Sequence, residues 1–201
     1  MQKSNFTVIY DTNVLYPACL RDILIRLAQK ELFRAKWTHD ILAELKRNLL
    51  ESAKVRNEKN GIFYAEIEEK IDRLLAKMNE AVRDCLITDY KDLEIGLILP
   101  DSNDKHVLAA AIKSKSDVIV TWNLKDFPQK ILNKYNIEAQ SPDDFISHVY
   151  DLDEEAVLLA VREQRAGLKN PTYTSQQLLE SFKKNKLYIL AENLKDSLNR
   201  I

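Results

Sequence analysis

Glycine is scarce in this chain: its 201 residues include only Gly61, Gly96 and Gly167, far apart. Phosphate loops and dinucleotide fingerprints need clustered glycines, so both are excluded. Cysteine is as sparse. Cys19 and Cys85 are too few for a disulfide framework or a Cys-rich zinc site, and they point to a reducing, cytoplasmic setting. His39, His106 and His148 are scattered, and no G-x-S-x-G elbow exists. Hydroxyl and thiol nucleophile schemes therefore gain no support. No apolar run reaches the roughly 18 residues of a membrane span. The opening MQKSNFTVIYDTN lacks the apolar stretch of a signal peptide. An excess of one charge is missing too, since 30 Lys+Arg face 31 Asp+Glu for a net charge of −1. With no global basic field, any binding of nucleic acid must use a local patch.

Hydrophobic periodicity is what the chain does have. Phe6 to Tyr10 (FTVIY) reads as a buried strand ending at Asp11. Helical spacing runs from Cys19 to Gln29, from Thr38 to Glu51, and through Ile67, Ile71, Leu74, Leu75, Met78 and Val82. Cys85-Leu86-Ile87, Asp117 to Thr121 (DVIVT) and Asn136 to Ala139 read as further strands, with a helix from Val107 to Ile112 between them. Ser141-Pro142-Asp143-Asp144 has the chemistry of a helix start, with Ser as cap, Pro in the first turn and acids after it. Strands alternating with helices predict an α/β fold, a parallel sheet flanked by helices. After about residue 150 three helical segments follow without a strand, one opened by a Thr174–Gln177 capping box. This divides the chain into a domain at 1–149 and a small helical appendage at 150–201.

Parallel α/β sheets bind ligands at the carboxyl ends of their strands. Asp11, Thr12 and Asn13 follow the first strand. Thr121, Trp122 and Asn123 follow the DVIVT strand, with Asp126 just beyond. Asp101 and Asp104 open the Ala-rich helix, and Glu44 flanks an apolar helical stripe. If these acids converge on one crevice, they repel one another unless a cation is present. Hard oxygen ligands suit Mg²⁺ or Mn²⁺, and such an ion hydrolyses phosphate esters without a glycine loop. Each acid also has an ordinary reading as a turn, a cap or a solvated helix residue. Asp143 and Asp144 read only as a cap. Just after Glu44, Lys46, Arg47, Lys54 and Arg56 form a basic stretch suited to RNA phosphates, or simply a solvated face.

At these residues the chain resembles the PIN domain family, in its VapC-type toxin-like branch. The matching stretches are VIYDTNVLY at 8–16, ILAEL at 41–45, LPDSNDKHVLAAA at 99–111 and VIVTWNLKDFP at 118–128. The likeness covers roughly residues 5–148. Beyond it, PTYTSQQLLESF at 171–182 is similar to the helical C-terminal extension of some PIN toxins. The resemblance implies a metal-dependent ribonuclease with Asp11, Glu44 and Asp104 as catalytic, metal-binding acids. Where family members often carry a fourth acid this chain has Asn123. Asp126, Asp101 or the Asn123 amide could take that place, with Asn13 and Thr121 in support.

The expectation is therefore a Mg²⁺- or Mn²⁺-dependent endoribonuclease, the toxin of a type II toxin–antitoxin pair. It implies an RNA substrate, a cognate antitoxin and a homodimer. Asn123 motivates a rival, a weak or inactive PIN-like module that binds RNA or protein. A phosphohydrolase using Asp11 as nucleophile ranks third, because Asn13 stands where such enzymes want a second aspartate.

Overall fold

The computed structural model describes residues 6–57 and 64–201. Its elements in chain order are β1 (Thr7–Tyr10), α1 (Thr12–Leu15), α2 (Ala18–Gln29), β2 (Arg34–Thr38), α3 (His39–Asn57), α4 (Tyr64–Ala81) and β3 (Leu86–Ile87). Then come α5 (Lys105–Ser114), β4 (Val118–Val120), α6 (Gln129–Leu132), β5 (Glu138–Gln140), α7 (Pro142–Leu152), α8 (Glu154–Gly167), α9 (Ser175–Lys184) and α10 (Tyr188–Asn193). Short 3-10 turns link several of them. The five strands form one parallel sheet in the order β3-β2-β1-β4-β5. The α/β reading of the sequence holds.

Strands β1 and β4 lie side by side with Val8 opposite Val118. Both are buried along their length, as strands covered on both faces must be, and that explains their unbroken apolar runs. Strand β2 carries no such run, and the periodicity alone places only four strands. Arg34 is exposed and Lys36 half-buried, while Ala35, Trp37 and Thr38 turn inward. The Lys36 amine reaches the Asp84 carbonyl, so its stem is covered while its charge finds an acceptor. Thr38 then caps α3, its Oγ1 accepting the Ile41 amide at 3.1 Å.

Apolar faces of α2, α5, α7 and α8 contribute buried residues to the core with the sheet, and aromatic rings tie the C-terminal half to it. Phe145 of α7 meets Phe33 edge-on at 5.0 Å and Tyr10 at 6.4 Å. Ser141 caps α7 through the Asp144 amide, and the Thr174–Gln177 capping box forms at α9 as expected. The helices after residue 150 pack directly on the sheet domain. Gln164 of α8 donates to the Cys19 carbonyl at 2.8 Å, and Ser181 of α9 to Cys19 Sγ at 3.4 Å.

Asp143 corrects the sequence reading. It is 6% exposed, and it caps a different helix from its own. Its two carboxylate oxygens accept the amides of Ile189 at 2.8 Å and Leu190 at 3.1 Å, at the start of α10. The sequence offers no sign of this, because the partners lie more than a whole helix pair away.

The shortage of glycine leaves a mark on the helix ends. Left-handed corners that glycine usually fills are taken by Lys115 after α5 (φ 53°), by Asn136 (φ 56°) and by Lys186 between α9 and α10 (φ 61°). Among the described residues no helix is long and apolar enough to cross a membrane.

Candidate active site

From β1 the chain moves outward to β2 and β3; it then returns to β4, on β1's other side, and continues to β5. The reversal makes the carboxyl ends of β1 and β4 the switch point of the sheet, the usual ligand position in such folds. Asp11 stands there, 5% exposed, its amide donating to the Val120 carbonyl at 3.1 Å. Its Oδ2 accepts from Asn13 Nδ2 at 2.5 Å and from Thr121 Oγ1 at 2.7 Å. Asn13 Nδ2 also donates to Thr121 Oγ1 at 2.9 Å, and that oxygen accepts the Asn123 amide at 3.0 Å. The Trp122 amide donates to Asn13 Oδ1 at 3.0 Å. The two strand ends are thus laced together around one carboxylate. Burial pushes the Asp11 carboxyl up from its ordinary pKa; the Thr121 hydroxyl and the Thr12 amide pull it part of the way back.

Glu44 comes to the same place from α3. Its Oε2 accepts from Thr12 Oγ1 at 2.9 Å, and His106 Nε2 lies 3.9 Å from that oxygen. Asp101 closes the turn before α5, accepting the Asn103 amide at 2.8 Å. Asp126 ends the 3-10 turn that Asn123 begins.

Asp104 draws these acids into one site. Burial, and then the charges of Asp11, Asp101, Asp126 and Glu44, push its carboxyl up to about 7. Its Oδ2 is buried without a hydrogen-bond partner, as is His106 Nδ1. An unpartnered buried oxygen among four like charges costs free energy unless a proton or a cation satisfies it. Among the described residues no three His, Cys, Asp or Glu side chains are arranged so that they could hold a metal ion as they stand. The donor set is still all hard oxygen, the kind that suits Mg²⁺ or Mn²⁺, and Asp104 Oδ2 is the atom left wanting a cation. The residues fit such an ion.

The structure brings Asp11, Glu44, Asp101 and Asp126 close enough for Asp104 to feel their charges, with Asn13 and Thr121 bonded to Asp11. Asn123 contributes its backbone and keeps an exposed side chain. His106 lies beside Glu44, a place that no pattern in the sequence predicts. Its only signal was its position two residues after Asp104. The basic stretch is divided. Lys46 pairs with Glu68 at 2.9 Å and Asp72 at 2.7 Å on α4. Arg47 is exposed, Lys54 has interactions of its own, and the Arg56 side chain lies outside the described residues.

A five-stranded parallel sheet flanked by helices, with acids at the carboxyl ends of β1 and β4, defines an α/β class of protein. Within that class the chain belongs to the PIN domain family, whose profile matches residues 7–125. Residues 142–196 match a second profile, the VapC50 C-terminal domain. The chain is 40% identical over 92 residues to the protein named "Putative ribonuclease VapC50" of Mycobacterium tuberculosis (strain ATCC 25618 / H37Rv), covering 46% of this chain and 54% of that protein. It thus spans about half the length of this relative. No solved structure matches.

Proposed function

We propose that this protein is a Mg²⁺- or Mn²⁺-dependent endoribonuclease, the toxin of a type II toxin–antitoxin pair, acting in the cytoplasm as a homodimer held in check by a cognate antitoxin. The observation that carries the reading is Asp104, whose buried, unpartnered oxygen faces the charges of Asp11, Glu44, Asp101 and Asp126. Membership of the PIN family and likeness to a protein named as a ribonuclease support it. In this reading the nuclease occupies residues 1–149 and the helical extension 150–201.

Asp11 and Asp104 would hold the principal ion, and Glu44 and Asp126 would complete its cage or orient a water. Asp101 and Asn123 are the other candidates for the last ligand. A bound divalent ion supplies an acidified water and offsets charge on the scissile phosphate. The rest falls to the chain. Asn13 and Thr121 fix the Asp11 carboxylate by hydrogen bonds to its Oδ2. Glu44 is set by Thr12 and would accept a proton from the attacking water. Attack on phosphorus expels the 3′ oxygen in line, giving hydrolysis of the phosphodiester. Because Asp104 holds its proton up to about pH 7, ion binding competes with that proton and should tighten as pH rises through neutrality.

The test is direct. RNA incubated with the protein and Mn²⁺ should be cut, and excess chelator should stop the cutting. The absence of both cleavage and Mn²⁺ binding at millimolar metal would remove the reading. It would favour the binding module that Asn123, in the place of a fourth acid, suggests. A milder variant probes the frame around Asp11. Thr121→Val removes the 2.7 Å bond to Asp11 but keeps the side chain's size. Cleavage should fall about 10–100-fold, the usual cost of losing such support for a metal ligand. A steady-state rate at saturating Mn²⁺ measures it.

A further inference from the structure

Trp122 stands between Thr121 and Asn123, and its amide is bonded to Asn13. Its backbone is thus part of the frame around Asp11, while its ring is half-buried against the core. Over that ring, 5.7 Å from its centroid, stands the amine of Lys186, which belongs to the C-terminal helices. The corner carrying Lys186 is tightly held. Lys186 N–H donates to the Lys183 carbonyl at 3.0 Å, and Leu187 N–H to the Phe182 carbonyl at 3.0 Å. Asn185 Nδ2 donates to the Ser181 carbonyl at 2.8 Å. Leu187 is fully buried, and the next two amides but one go to Asp143. Lys186 itself takes a left-handed backbone, φ 61°, a conformation that a lysine rarely adopts.

Two other lysines of the C-terminal segment, Lys183 and Lys195, have acidic partners, whereas Lys186 and Lys184 have no ion pair among the described residues. Lys183 pairs with Glu180 at 2.8 Å and Lys195 with Glu192 at 2.5 Å. Among the described residues no carboxylate pairs with Lys186; its one partner is the indole face. An ammonium held on an aromatic face keeps its full charge and its three donors, aimed by a rigid platform. This exposed cation stands over Trp122, which follows Thr121 of the site directly in the chain.

We propose that Lys186, seated on Trp122, is a positioning residue that binds a backbone phosphate of the RNA strand next to the scissile bond. The C-terminal helices thereby complete the substrate site. This rests on the ribonuclease reading above. It also accounts for a chain of near-zero net charge handling a polyanion, because the cation is delivered to one point instead of being spread over the surface.

The experiment uses the full chain and a short labelled single-stranded RNA, with affinity measured by anisotropy in the absence of metal and cleavage measured with Mn²⁺. Lys186→Gln should weaken RNA binding by on the order of 3–10-fold and raise KM by a similar factor. It should also flatten the dependence of log affinity on log salt by about 0.7. Lys186→Arg should restore all three, and Trp122→Leu should reproduce much of the loss. Lys195→Gln, which removes a charge elsewhere on the same helices, should behave as wild type. Unchanged affinity, KM and salt slope in Lys186→Gln, with wild type still cutting RNA, would overturn the proposal and leave the ribonuclease reading intact. So would a loss accompanied by a lowered melting temperature that Lys186→Arg does not rescue. A wild-type chain that neither binds nor cuts RNA would overturn both.

Discussion

Asp104→Asn should abolish RNA cleavage and, in the same protein without metal, raise the melting temperature at pH 8. The two effects have one cause. In the fold burial first, and then the charges of Asp11, Asp101, Asp126 and Glu44, push the pKa of half-buried Asp104 up to about 7. In the unfolded chain a carboxyl titrates near 3.9. Between those values the folded state holds a proton that the unfolded state has lost, so stability falls as pH rises. The penalty is absent below about pH 4 and complete above about pH 7. Solvent screening of a half-exposed group reduces it to about 1–2 kcal/mol, or roughly 2–8 °C in a chain of this size. Asparagine carries no charge and so escapes the penalty, but it is a poor ligand for a hard cation. Activity should fall by at least about 10³-fold, equivalent to roughly 4 kcal/mol of barrier. Melting curves at pH 4 and pH 8 with chelator, beside cleavage assays in Mn²⁺, check both halves. A variant no more stable than wild type at pH 8 would show that the acids do not crowd Asp104. Such trading of stability for a strained site is common in enzymes.

How much of this the sequence reveals depends on how local the physics is. Strands β1 and β4 are legible because both faces are covered and the apolar run is continuous. Strand β2 is not, because Lys36 satisfies its amine on the Asp84 carbonyl and so hides a strand behind a charged residue. Asp11 and Asp104 are legible as residues at strand and helix ends. Glu44 is ambiguous on helical spacing alone, and only the Thr12 hydroxyl, 2.9 Å away, distinguishes it from a solvated acid. The basic stretch after Glu44 reads as a phosphate surface, yet Lys46 has two acidic partners on α4. The cation beside the site comes from Lys186, which no pattern near Trp122 could indicate. Charge pairing across the fold decides which lysines remain available, and a one-dimensional count cannot see it.

Replacing Asp143 should cost far more than replacing its neighbour Asp144, although in the sequence the two acids look interchangeable. Asp144 is exposed and accepts a hydrogen bond from the Ser141 hydroxyl at 2.6 Å, so Asp144→Ala should cost less than about 1 kcal/mol. Asp143 is buried with both oxygens on the first amides of α10. Asp143→Ala would strand those donors with nothing to replace the carboxylate, at about 3 kcal/mol. That corresponds to a fall of roughly 6–12 °C in melting temperature. Asp143→Asn keeps one acceptor oxygen and should lie between. The damage should also be directional. Asp143 anchors the helix that begins two residues after Lys186, so Asp143→Ala should loosen the corner on which the phosphate contact depends. At a temperature where the variant is still folded by circular dichroism, its affinity for single-stranded RNA should drop toward that of Lys186→Gln. Combining the two substitutions should add little further loss of affinity, since both act through one ammonium. Equal melting temperatures for Asp143→Ala and Asp144→Ala would mean that α10 is held by its apolar face alone. Additive losses of RNA affinity would separate the Asp143 anchor from the Lys186 contact.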